Sequence, residues 1–376
     1  MKRKNPFVTQ GYAGSTYFCD RVKETNDIVS LLLNENNIAL ISPRRLGKTD
    51  LIRHCFEQDE IKNQYYTFLI DIYATNSLRD FVNVFGKAIL EELKPRGRKV
   101  WEQFLGALKS LQPEISFDVN GSPVWGIGLG NLQNPEVTLD EIFHYLEHAD
   151  KPCIVCIDEF QQITRYTEGP NIEAVLRTHV QRCRQTTFLF SGSKRHLMNE
   201  IFTSPSRPFY QSVITMGLFP ISLDKYREFA ILKFKEYGKD LEADCVDKVY
   251  ELFRGVTSCM QRVMNVLFFR TGKGEKCTKD MVDDAVDYLL DLYAENYETQ
   301  LNQMSERQRT LFRAIVAEGH VDNITSGDFI NKYKLWSASS VVSAAKALLE
   351  KDFITRENNT YYIYDQFFYL WVKKSS

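Results

Sequence analysis

The chain has 376 residues, 44% of them hydrophobic and 26% charged, with 47 basic against 49 acidic side chains. From the near-neutral balance no general electrostatic affinity for nucleic acid or membrane can be read. No apolar run reaches the roughly 18 residues that a bilayer-spanning helix needs. The length suits two or three domains.

The N-terminus "MKRKNPFVTQ" is basic, but the apolar core of a signal peptide does not follow it. Eight cysteines are scattered without a framework, so a reduced, cytoplasmic protein is expected. "NNIALIS" (36–42) reads as a buried strand. It enters "SPRRLGKTD", Ser42 to Asp50, and a helical pattern through Leu51, Ile52, Cys55 and Phe56 follows. Strand, loop and helix in that order form the context of a phosphate-binding loop of pattern G-x-x-x-x-G-K-[ST]. Ser42 stands where the first glycine belongs. "YYTFLIDIY" (65–73) is the next strand, and helical periodicity follows over 78–93 and 99–111. "EISFDV" and "VWGIGL" flank Asn120-Gly121 as a hairpin. "LDEIFHYLEHA" reads as a helix with Thr138 as its N-cap.

"CIVCIDEF" (153–160), "TTFLFSGS" (186–193) and a short "SVITMGLFP" (212–220) complete the strands. Apolar strands alternating with helices imply a parallel sheet covered on both faces. Cys153 and Cys156 are the chain's one C-x-x-C pair. Residues three apart in a strand face opposite sides, so a shared metal is not expected. After Pro220 the strands stop: 224–237, 241–254, 258–270 and 278–297 are helical in period. From Ser305, three helices and a hairpin around Asn358-Asn359 suggest a winged helix-turn-helix.

Three segments carry chemistry. In the loop, consecutive amides and a helix N-terminus favour an anion. Lys48 suits the β- and γ-phosphates, and the Thr49 hydroxyl suits Mg²⁺. In "CIVCIDEF", two carboxylates end a buried strand, which is costly unless they are paired or metal-bound. Asp158 is the expected Mg²⁺ ligand and Glu159 the base that orients water. In "FLFSGS", Ser191 or Ser193 could place a hydroxyl near the γ-phosphate.

The set "ISPRRLGKTDLI", "CIVCIDEFQQI", "FLFSGS" and "RPFYQS" resembles the archaeal-type ATPase family, P-loop ATPases allied to the AAA+ and STAND groups. The "NPF" stretch, the Phe18, Arg21, Glu24 pattern and "YYIYDQFFYLW" match its flanking segments, so the resemblance covers nearly the whole chain. It implies an α/β fold: a P-loop parallel sheet of order 5-1-4-3-2, a helical lid and a C-terminal winged helix. The corresponding domains are 1–220 (lead-in 1–35), 221–300 and 301–376. It implies ATP or ADP with Mg²⁺, and slow hydrolysis. Ser42, Pro43, Arg44, Arg45, Leu46, Gly47, Lys48, Thr49 and Asp50 form the phosphate loop, with Thr49 and Asp158 at the metal. Lys48, Glu159 and Ser191 carry catalysis, with Ser193 as second choice for the sensor position. Pro6, Phe7 and Arg21 fall in the segment that passes near the base.

There are departures beyond Ser42. Thr257 replaces the lid proline, Ser258 stands where relatives place an arginine, and Arg262 is the substitute. Gln211 and Ser212 replace a Gly-Arg pair, leaving Arg195 and Arg207 as arginine-finger candidates. The third winged-helix helix offers Ser337, Ser339, Ser340, Ser343 and Lys346, and residues 305–376 hold ten basic against eight acidic side chains. That sparse charge leaves the domain open to a DNA partner or a protein partner. The readings are therefore a nucleotide-driven switch, an ATP-regulated DNA-binding protein, or a degenerate site kept for structure.

Overall fold

The computed structural model describes residues 3–110, 115–117, 123–125, 134–167, 170–357 and 359–375. The chain forms two compact units, residues 10–221 and residues 222–375 together with 3–9.

The first unit is built on five parallel strands: β1 (Ile38–Ile41), β2 (Tyr66–Asp71), β3 (Cys153–Asp158), β4 (Thr186–Gly192) and β5 (Ile214–Gly217). Their spatial order is β2-β3-β4-β1-β5, which is the expected 5-1-4-3-2 read from the other edge. β1, β3 and β4 are buried along their whole length, as strands covered on both faces should be. The helices α1 (Val22–Leu33), α2 (Lys48–Phe56), α3 (Leu78–Leu93), α4 (Arg98–Ala107), α5 (Pro135–Glu147), α6 (Pro170–Arg182) and α7 (Arg195–Thr203) supply that cover. One apolar layer joins Ile38, Leu40, Cys156 and Leu189 to Ile28, Leu51 and Ile52 of α1 and α2. The other joins Val155, Ile157, Phe188 and Phe190 to Phe85, Leu139 and Leu176. Cys153 faces the second layer and Cys156 the first, as the strand period requires.

Two details differ from the sequence reading. The N-cap of α5 is Asn134, whose side chain accepts from the Val137 amide, with Pro135 opening the helix. Thr138 lies inside the first turn, buried, with its hydroxyl donating to the Asn134 carbonyl. Proline suits the first helical position because its missing N–H has no intrahelical partner there, and the helix start lies four residues upstream of the expected one. The hairpin pairs Ile115–Phe117 with Pro123–Trp125; its Asn120-Gly121 turn lies outside the described residues.

The second unit contains α8 (Leu223–Glu236), α9 (Ala243–Phe253), α10 (Thr257–Arg270) and α11 (Met281–Asn302). α12 (Glu306–Glu318), α13 (Gly327–Lys332) and α14 (Ala338–Glu350) follow, then a hairpin of Ile354–Glu357 and Thr360–Ile363. A further helix, α15 (Gln366–Ser375), closes the chain. The sequence reading had no helix here, because "QFFYLWV" is apolar without a break. Phe367 and Phe368 are buried, and Phe368 stacks on Tyr297 at 4.8 Å.

Candidate phosphate and metal site

Ligands of open α/β sheets bind at the carboxyl ends of strands. In the first unit the ends of β1, β3 and β4 carry the residues singled out from the sequence. The turn after β1 leads into α2, whose N-cap Gly47 is left-handed (φ 85°) and bears no side-chain cap. That conformation is the reason for glycine here, since open space surrounds the position where a Cβ would stand. The first amides of α2 face no capping side chain, which is the arrangement an anion needs.

Ser42 answers the question raised by the missing glycine. It is not among the described residues with positive φ, whereas Arg45 (φ 70°) and Gly47 are. Its amide donates to the Gly192 carbonyl at 3.2 Å and its hydroxyl to the Pro43 carbonyl at 3.0 Å. Nothing in that geometry requires glycine. The Ser42 carbonyl accepts from Lys48 Nζ at 3.2 Å, holding the ammonium inside the loop. Burial pushes the Lys48 pKa down, Glu159 and Asp158 pull it back up, and Arg44 adds to the depression. Leu46 turns its side chain into the core, and its carbonyl accepts from the buried Arg21 at 3.4 Å. Arg21, left-handed at the N-cap of α1, also pairs with Glu24 at 2.6 Å. Asp50 lies in the first turn of α2, its carboxyl pushed up by burial.

Across the site, Thr49 Oγ1 donates to Asp158 Oδ2 at 2.7 Å. The two residues are 109 positions apart, yet hydroxyl and carboxylate meet as two ligands of one small cation would. Glu159 follows in a left-handed conformation (φ 57°, ψ 38°), its amide donating to Asp158 Oδ1 at 3.0 Å. Its Oε2 accepts from Ser193 Oγ at 2.6 Å and from Gln161 Nε2 at 2.5 Å. Arg44 Nη2 lies 3.8 Å from the same oxygen, and Arg44 Nε donates to Ser193 Oγ at 3.3 Å. The network therefore uses Ser193. Ser191 is fully buried, and its Oγ meets no partner.

Other candidates belong to the second unit or make contacts of their own. Pro6 and Phe7 belong to the second unit. Phe7 is enclosed by Phe229, Phe234 and Phe268 and keeps no exposed ring face for a base. Arg262 is also in that unit, at 3.5 Å from the Tyr293 hydroxyl. Arg207 is tied to Glu173 and Glu200, a structural pairing, while Arg195 is exposed at the start of α7.

Two members of the site escaped the sequence reading. Asp71 ends β2 in register with Asp158; burial raises its pKa, and Asp158 and Glu159 add to the rise against the Tyr73 amide and Arg44. Gln161 stands two residues after Glu159, a spacing that does not share a face in a regular helix. The left-handed turn and the short 3₁₀ helix of 160–165 bring it round.

This fold and these strand ends define a P-loop ATPase-type α/β fold with a C-terminal winged helix. A family model described as a probable winged helix domain matches residues 295–374. The chain is similar to an uncharacterized ATP-binding protein of Methanocaldococcus jannaschii, 29% identical over 159 residues. That match spans 40% of this chain and 44% of the relative, under half of either. Among solved structures, the fold is like that of a Walker-type ATPase of Pyrococcus abyssi (TM-score 0.67, 18% identity, 98% of this chain and 99% of that one). It is also like the ORC2 protein of Aeropyrum pernix, solved with ADPNP and ADP (TM-score 0.59, 12% identity, 99% and 97%). Among the described residues no helix is long and apolar enough to cross a membrane.

Proposed function

We propose that this chain is a magnesium-dependent ATPase that works as a nucleotide-driven switch. The observation that carries the reading is the 2.7 Å bond between Thr49 and Asp158, which joins the phosphate loop to the acidic strand end. Degeneration of a site would not be expected to keep that pairing together with a buried Lys48 and a glycine of the required φ.

The residues fit the groups that the fold implies. The α2 amides and Lys48 would hold the β- and γ-phosphates, and the buried, unpartnered Ser191 hydroxyl is a further donor for them. Thr49 and Asp158 would hold Mg²⁺, which neutralises phosphate charge when bound. Glu159 takes a proton from the attacking water. The test is titration with ATP and ADP, with and without Mg²⁺, followed by phosphate release. Lys48→Ala should abolish binding; unchanged affinity in that variant would sink the reading.

The exposed face of α14 favours a second reading, because Ser339, Ser343 and Lys346 all face solvent there. That face suits an ATP-regulated contact with duplex DNA. Salt-dependent binding lost on Lys346→Glu supports it, and flat titrations at low salt exclude it.

A further inference from the structure

We propose that Ser193, Gln161 and Arg44 are positioning residues that set the direction of the Glu159 carboxylate. The inference rests on the reading of Glu159 as the base. Three distant stretches of chain converge on a single oxygen. Ser193, just past the end of β4, donates to Glu159 Oε2 at 2.6 Å. Gln161, on the turn after β3, donates to it at 2.5 Å. Arg44, in the phosphate loop, lies 3.8 Å away and also donates to Ser193 at 3.3 Å. The Arg44 guanidinium is itself placed over the Tyr73 ring at 4.9 Å.

The arrangement is built into the backbone on both sides. Glu159 occupies a left-handed conformation that is costly for a non-glycine residue, and surrounding structure must hold it there. Facing it, Gly192 leaves the room that the Gln161 amide occupies. A Cβ at 192 would stand 2.5 Å from Gln161 Oε1 and would also collide with Met198 Sδ. Gln161 is only 4% exposed, so it has nowhere else to go.

Chemically, both neutral bonds fall on Oε2, which directs Oε1 to the water that gives up its proton. A base oriented by a third group is a general feature of activated nucleophiles, and a misplacement near 1 Å can cost about a hundredfold in rate. Arg44 links this alignment to the phosphate loop, so the base and the loop that would hold the triphosphate are joined through one side chain.

The experiment measures kcat and the ATP dissociation constant of the full chain as wild type, Ser193→Ala, Ser193→Thr, Gln161→Ala, Gly192→Ala and Glu159→Gln. Ser193→Ala and Gln161→Ala should lower kcat about ten- to a hundredfold while ATP affinity stays within about threefold. Ser193→Thr, which keeps the hydroxyl, should recover most of the loss, and Gly192→Ala should behave like Gln161→Ala. Retained ATP affinity shows that the variants are folded. Turnover in Ser193→Ala equal to or above wild type, or equal loss in Ser193→Thr, overturns the positioning role alone. A wild type without magnesium-dependent turnover, or one matched by Glu159→Gln, overturns the hydrolytic reading and this inference with it.

Discussion

At position 42 the departure from the loop pattern meets no backbone demand for glycine. The first glycine of the loop is replaced, yet the backbone there needs no positive φ, and the serine carbonyl holds Lys48. Ser42→Gly should therefore leave ATP affinity within about threefold, since its φ lies where serine pays nothing. Gly47→Ala should be far worse, because a φ of 85° costs an L side chain about 1–2 kcal/mol before any phosphate approaches. A titration of both variants checks this; equal losses would contradict it. That Lys48 and Thr49 would meet Asp158 and Glu159 at the strand ends was legible, because the two motifs pair in this order on such a sheet. The places of Gln161 and Asp71 and the bond from Ser193 to Glu159 were not. They depend on one left-handed residue and on strand register, neither of which leaves a periodic trace.

Elements were legible where burial imposes a period, and less so at their ends. All five sheet strands follow from apolar runs, and their order from the family resemblance. The start of α5 was misplaced because Thr138 is a plausible cap in isolation, while Asn134-Pro135 is the better pair. Asn134→Ala should accordingly cost about 1 kcal/mol by denaturant titration, and Thr138→Ala should act through lost packing instead. Beneath the acidic turn lies an aromatic cluster: Phe160 and Phe190 at 4.5 Å, Phe202 and Phe209 against both. It anchors the 3₁₀ turn that carries Gln161. Phe190→Ala should cost about 3–5 kcal/mol. α15 went unread because a short apolar run has no preferred period until its partners are known.

For the molecule as a whole, the chain forms two compact units, and the proposed nucleotide site lies in residues 10–221. Stability should depend on pH through His54, His179 and His196, each pushed below the usual histidine value chiefly by burial. Such groups bind fewer protons in the folded chain than in the unfolded one, so stability falls as pH drops below about 6.5 towards their lowered values. Asp50, Asp71 and Glu173, raised by burial, act in the opposite direction nearer the carboxylate range. Melting midpoints from about pH 7.5 to 5.5 should therefore decline, and His179→Phe should flatten part of the slope. A flat wild-type profile would contradict the assignment.

The central claim is that Lys48, Thr49, Asp158 and Glu159 form one nucleotide-hydrolysing centre. The most direct measurement compares ATP binding and phosphate release, with Mg²⁺, in wild type and Glu159→Gln. The expected result is ATP affinity retained within about threefold and turnover reduced at least about a hundredfold, since the amide cannot take the proton. Equal turnover in the two proteins, or no magnesium-dependent ATP binding by either, would contradict the account.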